Sequence, residues 1–438
     1  MIQIAPSTQC PYMNTPVQDQ YDVLVLGGGP GGATCAALLA EGGKRVLLLE
    51  RGLTPRFHVG ESLLPKCYPT LQRLGLLETM KQSAFPKKYS VQFVTEMGKV
   101  TRPFYFDDYI PHESSQTWQV ERGDFDALLL GKAAEFGADV RTNAQVMDVL
   151  FEGKRAVGAK VRLKNADAGD DVREIRADLV VDASGQSAVI ATRLGVKKSD
   201  PLLKKGTIWG YFENAVRDEG RDEGATLIMQ TAGKSSWFWY IPLSNNIVSV
   251  GCTGSMKYMF SGDGSTPADV FQRELAKCPE MQRRLEPATQ YGEFKTTKDF
   301  SYRAQQTVGE GWVLIGDAFG FIDPVYSSGV LLAMASAEMA ADAILDGYQK
   351  NDLSPEQLGR WNDNYTAGLE NFKRLVYAFY APDFSFAEFF KEYPDYRNHM
   401  IDILMGDVFK PGVDEIFDKM GDVVPPSDIE AESETVIA

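Results

Sequence analysis

The most regular hydrophobic pattern in the sequence lies near the N-terminus, in residues 21–52. Residues 23–26 and 46–49 are short, uninterrupted apolar runs, which is typical of strands buried in a parallel sheet. Between them, residues 33–41 are good helix formers, and two glycines follow where the helix is expected to end. This order predicts a β-α-β unit and an α/β fold.

Two further patterns follow along the chain. Between residues 201 and 293, several short runs with strand-like composition indicate a second, more antiparallel sheet. Residues 311–315 form another buried strand, and helical periodicity covers residues 330–348 and then continues from residue 354 to about residue 380. The front and back segments are expected to close around one ligand, with the middle sheet inserted between them.

The turn between the first strand and the first helix carries three spaced glycines, Gly27, Gly29 and Gly32, in the order G-x-G-x-x-G. Gly27 permits a tight turn, Gly29 lets a pyrophosphate approach the backbone, and Gly32 lets the helix pack closely against the strand. The helix N-terminus offers free N–H groups and a positive dipole to phosphates. Glu50, at the end of the second strand, can accept hydrogen bonds from a ribose diol. The unit predicts a dinucleotide site without deciding between FAD and NAD.

Composition narrows the class of protein. The chain has 438 residues, 44% of them hydrophobic, which is enough for a sizeable core in two or three domains. Its net charge of −15 argues against nucleic acid and anionic membranes as partners. Five scattered cysteines and three histidines indicate a reduced, cytoplasmic protein without a metal site. No apolar run in the sequence is long enough to span a membrane, and the N-terminus lacks the basic-then-apolar pattern of a signal peptide.

Three later segments resemble the superfamily of FAD-dependent aromatic hydroxylases. They are E-R-x-x-F-D around Arg122, Asp-Ala-Ser-Gly from Asp182 to Gly185, and Gly-Asp-Ala around Asp317. The resemblance implies that FAD is the dinucleotide and that Asp317 binds its ribityl hydroxyls. It also implies cofactor contacts for Arg51, Arg122, Asp182 and Gly185.

Within that superfamily, the chain resembles the flavin-dependent halogenases over about residues 20–350. Trp237 and Trp239 belong to the family's W-x-W-x-I-P motif, and two residues that are two apart on a strand face the same side. The resemblance implies that they form an apolar wall that keeps organic substrate away from the flavin. The loop before the last long helix resembles the family's halide loop, in which the backbone amides of Ser328 and Gly329 would bind chloride or bromide. Gly329 would also contact FAD.

The same loop carries Tyr326, where the indole-halogenating branch has a glutamate. This departure favours the phenol- or pyrrole-halogenating branches over halogenation of free tryptophan.

A lysine a few residues before a strand phenylalanine is the last halogenase feature. Lys88 stands in this position before Phe93, and Lys87 is its neighbouring alternative. In the family, hypohalous acid would travel to this lysine, and a buried amine with a lowered pKa suits the delivery of the halogen.

The segment Gly60-Glu61-Ser62 also matches the family and is assigned to cofactor contact.

The patterns and the resemblance together predict an α/β protein with a discontinuous FAD-binding, Rossmann-like domain of the glutathione-reductase or aromatic-hydroxylase type. Its segments are residues 21–86, 119–200 and 294–350; an inserted, mostly antiparallel β-sheet substrate domain takes residues 87–118 and 201–293, and a helical C-terminal region takes residues 351–420. Residues 1–20 are expected to be a disordered arm, and residues 421–438 an acidic, disordered tail.

The resemblance implies an FADH2-dependent halogenase that uses O2 and chloride or bromide. It would form hypohalous acid and halogenate an electron-rich, phenol- or pyrrole-like aromatic through Lys88. A separate flavin reductase would supply FADH2, and the substrate would be free or tethered to a carrier protein.

Three alternatives stay open. An NAD(P)H-driven aromatic hydroxylase would not need Lys88 or halide. A flavin reductase of isoprenoid or lipid double bonds would have an apolar tunnel, which the aromatic-rich residues 372–390 would line. A non-catalytic flavoprotein would bind FAD without turnover.

Overall fold

The structure is a computed structural model that describes residues 16–164, 169–262, 264–421 and residue 425. Most of the predicted N-terminal arm and nearly all of the predicted acidic tail therefore lie outside the described residues. None of the described helices is long and apolar enough to cross a membrane.

The chain alternates strands and helices in its first half and ends in helices. The strands are β1 (Gln20–Leu26), β2 (Val46–Leu49), β3 (Lys87–Lys88), β4 (Ser90–Val94), β5 (Phe104–Tyr105), β6 (Thr117–Trp118), β7 (Asp139–Arg141), β8 (Ala144–Glu152), β9 (Arg155–Leu163), β10 (Asp171–Asp182), β11 (Lys197–Ser199), β12 (Lys205–Glu213), β13 (Thr226–Gln230), β14 (Ser236–Pro242), β15 (Ile247–Ser255), β16 (Thr289–Lys298), β17 (Tyr302–Ala304), β18 (Val308–Gly309), β19 (Trp312–Leu314) and β20 (Gly320–Phe321). The helices are α1 (Pro30–Glu41), α2 (Tyr68–Arg73), α3 (Leu77–Gln82), α4 (Arg122–Glu135), α5 (Val189–Leu194), α6 (Met256–Met259), α7 (Pro267–Leu275), α8 (Pro279–Leu285), α9 (Gly329–Lys350), α10 (Pro355–Leu358), α11 (Asn362–Tyr380), α12 (Phe386–Glu392), α13 (Arg397–Met405) and α14 (Glu415–Met420).

The first large sheet is built around the parallel strands β7, β2, β1, β10 and β19, in that spatial order. Their apolar runs are buried, and helix α1 packs on β1 and β2 while α4 packs on β7. The carboxyl ends of β1 and β2 carry the glycine turn and Glu50. This is the edge at which open α/β sheets bind ligands.

The second large sheet has seven strands in the order β16-β12-β15-β14-β13-β4-β5. Its neighbours are antiparallel except for β13 and β4, which run parallel. The pairing of β4 with β13 joins two segments that are far apart in the chain. It places the segment after Lys88 beside β13, whose other neighbour, β14, carries the tryptophan motif.

The structure corrects two of the predicted domain boundaries. The N-terminal arm ends before residue 20, because Gln20 already pairs with Arg176 as the first residue of β1. The inserted sheet extends past residue 293, because β16 stays paired with β12 up to Lys298. Residues 294–298 therefore belong to the second sheet and not to the FAD-binding domain.

The region after residue 351 is helical and packs onto the rest of the protein. Helix α11 begins at Asn362 and ends at Tyr380, and buried aromatic side chains such as Tyr365 and Phe372 anchor it in the main core. This helix brings the C-terminal region into contact with β14 and with the loop before α9.

Candidate functional site

The glycine turn after β1 is shaped by close backbone contacts. A Cβ on Gly27, whose φ is +110°, would lie 2.3 Å from the carbonyl oxygen of Ala183, and a Cβ on Gly32 would lie 2.0 Å from the carbonyl oxygen of Gly27. A Cβ on Gly29 would meet only the Arg56 guanidinium, at 4.0 Å. Gly27 and Gly32 are thus required by packing, while Gly29 keeps an open space at the N-terminus of α1. That space fits a pyrophosphate.

Glu50 is buried at the end of β2 and holds this turn together. Its carboxylate accepts hydrogen bonds from the backbone N–H groups of Gly28 and Gly52, both at 2.8 Å, and from Arg56 at 3.1 and 3.2 Å. Burial opposes ionisation, but Arg56 and the N–H groups outweigh it and lower the pKa of Glu50. An ionised carboxylate at this place fits a ribose diol. Arg51 is exposed, and the guanidinium on Glu50 comes instead from Arg56, which the sequence patterns did not single out.

Arg122 and Asp182 shape the neighbouring backbone. The buried Arg122 guanidinium makes a two-pronged ion pair with Asp126, at 2.9 and 3.1 Å, and donates to the carbonyl oxygen of Val59 at 2.7 Å. The buried carboxylate of Asp182 accepts from the N–H groups of Ser184 and Ile190, at 3.0 and 2.7 Å. It fixes the loop that contacts Gly27.

Gly185 follows in this loop with a φ of +63°.

Asp317 is partly buried in the short turn that follows β19. Burial raises the pKa of its carboxyl to about 6, although Arg122 and Lys197 oppose the shift. A carboxyl at this edge of the first sheet suits hydrogen bonds with the polyol of a flavin nucleotide. With the glycine turn and Glu50, the described residues fit FAD.

Neighbouring residues of the segment Gly60-Glu61-Ser62 contact different parts of the site. The buried Glu61 carboxylate accepts from Tyr211 at 2.5 Å and from the Gly60 N–H at 3.0 Å. Burial raises the pKa of Glu61. Ser62 points the other way, because its Oγ accepts a hydrogen bond from Lys88 Nζ at 2.9 Å.

Lys88 is 2% exposed, which is rare for a lysine. Its Nζ donates to Ser62 Oγ and to the carbonyl oxygen of Leu63, at 2.9 and 3.1 Å, and lies 5.6 Å from the centre of the Phe106 ring. All of these partners are neutral. Burial therefore lowers the pKa of Lys88 from 10.5 to about 7. The neighbouring Lys87 is exposed.

The hydrogen bonds continue from Lys88 into the second sheet. Ser62 Oγ lies 2.9 Å from Thr226 Oγ1, which accepts a hydrogen bond from the Gln119 amide at 2.8 Å. Ser62 and Thr226 thus link Lys88 to Gln119 through hydrogen bonds. No sequence pattern singled out Thr226 or Gln119, since each is an isolated polar residue within a strand region.

Lys88 borders a small internal chamber of about 20 Å³. Val325, Tyr326 and Ser327, from the loop before α9, line the same chamber. A chamber of this size holds about one water-sized molecule. The structure thus brings the predicted lysine and the predicted halide loop to one chamber.

A larger cavity of about 340 Å³ adjoins this chamber. Four residues line both spaces: Phe93, Ile228, Tyr326 and Leu404. The C-terminal region adds the aromatic rings of Phe379, Phe384 and Phe386, from the segment that one alternative assigned to a tunnel. An apolar, aromatic-lined cavity of this volume suits a small organic ligand.

Residues 323–329, called the 323–329 loop below, lead into helix α9. Ser327 has a left-handed φ of +57°, Ser328 is buried, and Gly329 is the first residue of the 22-residue helix. The first N–H groups of a helix lack partners within it, so this end presents donors and a positive dipole.

Trp237 and Trp239 lie on one face of β14, with their ring centres 6.1 Å apart. Both pack into the main hydrophobic core, whereas Phe238 and Tyr240 of the same strand pack into a second, smaller hydrophobic core. The Trp237 N–H donates to the hydroxyl of Tyr380 at 2.8 Å, so helix α11 contacts the tryptophan wall. The sequence patterns had assigned nothing to Tyr380.

Comparison with known proteins identifies the family. A family model described as tryptophan halogenase matches residues 22–107 and 106–417. A chlorinase from Pseudomonas fluorescens, named for 1H-pyrrole-2-carbonyl on a peptidyl-carrier protein, is 31% identical over 424 residues, 92% of this chain and 93% of its own. A brominase named for the same substrate, from Pseudoalteromonas luteoviolacea, is 31% identical over 392 residues, 89% of this chain and 92% of its own.

Solved structures agree with this family. The flavin-dependent brominase Bmp2 superposes with a TM-score of 0.80 and 29% identity over 95% of this chain and 100% of its own. The myxobacterial chondrochloren halogenase CndH, an FAD-dependent halogenase, has a TM-score of 0.77 and 35% identity over 84% of both chains. The chain therefore belongs to the tryptophan halogenase family and is an FAD-dependent oxidoreductase of the flavin-dependent halogenase type.

Proposed function

We propose that this protein halogenates an electron-rich aromatic compound and that Lys88 delivers the halogen. The observation that carries the proposal is the environment of Lys88: a buried amine with neutral partners, at a chamber that the 323–329 loop also lines. A buried lysine without a nearby carboxylate destabilises a protein, so its presence calls for a chemical role.

FAD, in its reduced form, would supply the oxidising step by reacting with O2 and halide to give hypohalous acid. The glycine turn, Glu50 and Asp317 would hold this cofactor, with the tryptophan wall beside its flavin ring. The amides of Ser328 and Gly329 would hold chloride or bromide, since backbone donors bind an anion without a bulky cation. Related enzymes named as chlorinases and brominases support either halide.

Lys88 would then position the hypohalous acid through its remaining N–H or carry the halogen on its nitrogen. Two of its N–H directions are fixed by Ser62 and Leu63, which leaves the amine aimed in a defined direction. A pKa near 7 lets a substantial fraction of the amine be neutral at neutral pH, as nucleophilic capture of halogen requires.

The substrate would bind in the aromatic-lined cavity beyond Phe93 and Tyr326. We propose a phenol- or pyrrole-like ring, because both ring types are rich in electrons and the walls are mostly apolar. The two pyrrole-halogenating relatives act on carrier-bound substrates, which supports a tethered substrate here. A separate flavin reductase would supply reduced FAD.

The test is a halide-dependent halogenation assay on the full chain, with reduced FAD, O2, bromide or chloride and a phenol as trap. Wild type is compared with Lys88→Ala and with the matched control Lys87→Ala, which removes an exposed lysine one residue away. We expect halogenated phenol with wild type and Lys87→Ala, and none with Lys88→Ala. Halogenated phenol from Lys88→Ala would refute the proposal. So would the absence of halogenated phenol from all three proteins with both halides.

A further inference from the structure

Tyr380, the last residue of helix α11, connects the tryptophan wall to the 323–329 loop. Its hydroxyl accepts a hydrogen bond from Trp237 Nε1 at 2.8 Å and donates one to Asp323 Oδ2 at 3.1 Å. Asp323 is the first residue of the loop. Three separate parts of the fold thus meet at one phenolic oxygen.

Asp323 holds the start of the loop in shape. Its side chain is 2% exposed, and its Oδ1 accepts the N–H of Val325 at 3.0 Å, which caps the turn leading to Ser327. Burial raises the pKa of the Asp323 carboxyl to about 6, and the charge of Lys205, whose Nζ lies 3.4 Å from the centre of the Tyr380 ring, opposes that shift. The conformation of the loop therefore depends on how this buried carboxyl is satisfied.

The hydroxyl at this position satisfies both neighbours at once. The indole N–H of Trp237 is a donor only, and an ionised carboxylate of Asp323 is an acceptor only. A tyrosine accepts from the first and donates to the second, whereas a phenylalanine of the same shape does neither. Removing the oxygen would leave a buried indole N–H without this acceptor and a buried carboxylate without this donor.

The same helix touches the loop at a second point. The Tyr326 hydroxyl lies 3.4 Å from the carbonyl oxygen of Leu375, and the Phe379 ring lies 6.1 Å from the Tyr326 ring and 6.0 Å from the Trp237 ring. Helix α11 therefore supports the loop near both its start and its middle.

We propose that Tyr380 is a positioning residue for the halide: it fixes the 323–329 loop, through Asp323, in the conformation that presents the amides of Ser328 and Gly329. The inference rests on the proposed function, because the loop is the proposed halide site. It assigns a role in the reaction to the C-terminal region.

The test compares Tyr380→Phe with Tyr377→Phe on the full chain. Tyr377 lies on the same helix, and its hydroxyl also donates to an aspartate, Asp200, at 2.6 Å, so it controls for loss of a tyrosine–aspartate hydrogen bond away from the loop. For Tyr380→Phe we expect the KM for bromide to rise about tenfold (about 1.4 kcal/mol), with kcat at saturating bromide and the Kd for FAD within about twofold of wild type. Tyr377→Phe should keep all three values.

Hydrogen exchange gives a readout that does not depend on turnover. The amides of the 323–329 loop should exchange faster in Tyr380→Phe than in Tyr377→Phe. Asp323→Asn, which weakens the same link from the other side, should raise the bromide KM in the same direction. It replaces Tyr380→Phe if that variant fails to fold.

The outcomes separate the two proposals. Wild type without any bromide-dependent product refutes the proposed function, and the role of Tyr380 falls with it. Wild type that needs bromide, together with an unchanged bromide KM in Tyr380→Phe or equal loop exchange in the two tyrosine variants, refutes only the role of Tyr380. A loss of kcat and FAD binding without a change in bromide KM shows a merely structural role.

Discussion

Replacing Lys88 with methionine should stabilise the protein at neutral pH while abolishing halogenation. Methionine fills a similar volume without a charge. The pKa of Lys88 falls from 10.5 to about 7 because the amine is buried, and this difference corresponds to about 5 kcal/mol of destabilisation when the amine must be charged. The variant loses the hydrogen bonds to Ser62 and Leu63. Each loss reduces the gain in stability by about 1 kcal/mol. We therefore expect a net gain of about 3 kcal/mol or less near pH 7.

The difference in unfolding free energy between Lys88→Met and wild type should change sign as the pH rises. Below about pH 7, Lys88 is protonated in both the folded and the unfolded state, so the penalty is full and constant. Between about pH 7 and 10.5 the unfolded chain binds more protons at this residue, so the stability of wild type relative to the variant rises by about 1.4 kcal/mol per pH unit. With the lost hydrogen bonds included, the two proteins should be equally stable near about pH 9.

The assay is urea unfolding of FAD-free wild type and Lys88→Met, followed by tryptophan fluorescence at several pH values from 6.5 to 9.5. Lys87→Met is the control, because Lys87 is exposed and its removal should leave the unfolding free energy nearly unchanged. A difference between wild type and Lys88→Met that does not vary with pH would refute the burial argument. So would a variant that is less stable than wild type at pH 7.

Three further predictions concern the cofactor and the lysine. Ser62→Ala removes the side-chain acceptor of Lys88 and should lower the halogenation kcat about tenfold with an unchanged Kd for FAD; equal kcat values would contradict this. Gly29→Ala places its Cβ in open space, so FAD-free protein should melt at the wild-type temperature while the Kd for FAD rises at least about tenfold in a flavin fluorescence titration. Glu50→Gln weakens the contacts with Arg56 and the turn and should raise the same Kd by about tenfold; an unchanged Kd would place the ribose elsewhere.

The glycine turn and Glu50 are the part of the candidate site whose geometry the sequence predicts best, and the reason is physical. Gly27, Gly29, Gly32 and Glu50 lie within one β-α-β unit, so local periodicity and turn chemistry already set their positions relative to each other. The W-x-W-x-I-P motif is similarly contained in a single strand, β14, where the period of two decides which side chains share a face.

The surroundings of Lys88 could not be predicted in the same way. Its burial depends on the pairing of β3 with β6, on Phe106 and on the backbone of Leu63, which are brought together only by the tertiary fold. Nothing in a run of two lysines shows which one points inward. Tyr380 is harder still, because its partners Trp237 and Asp323 are distant in the chain and it lies in a helix without a motif.

The buried cationic side chains differ in their partners, and this difference distinguishes structural residues from a reactive one. Arg122 is paired with Asp126, and Arg284 is paired with Asp218 and Glu280, so each buried guanidinium has carboxylate partners that offset its desolvation. Lys88 is as deeply buried, but its hydrogen-bond partners are a hydroxyl and a carbonyl oxygen. A carboxylate at that place would raise the lysine's pKa and keep it charged, and a charged amine cannot take up a halogen. The neutral surroundings thus preserve the reactivity of the amine at the expense of stability, and the stability of Lys88→Met measures that trade directly.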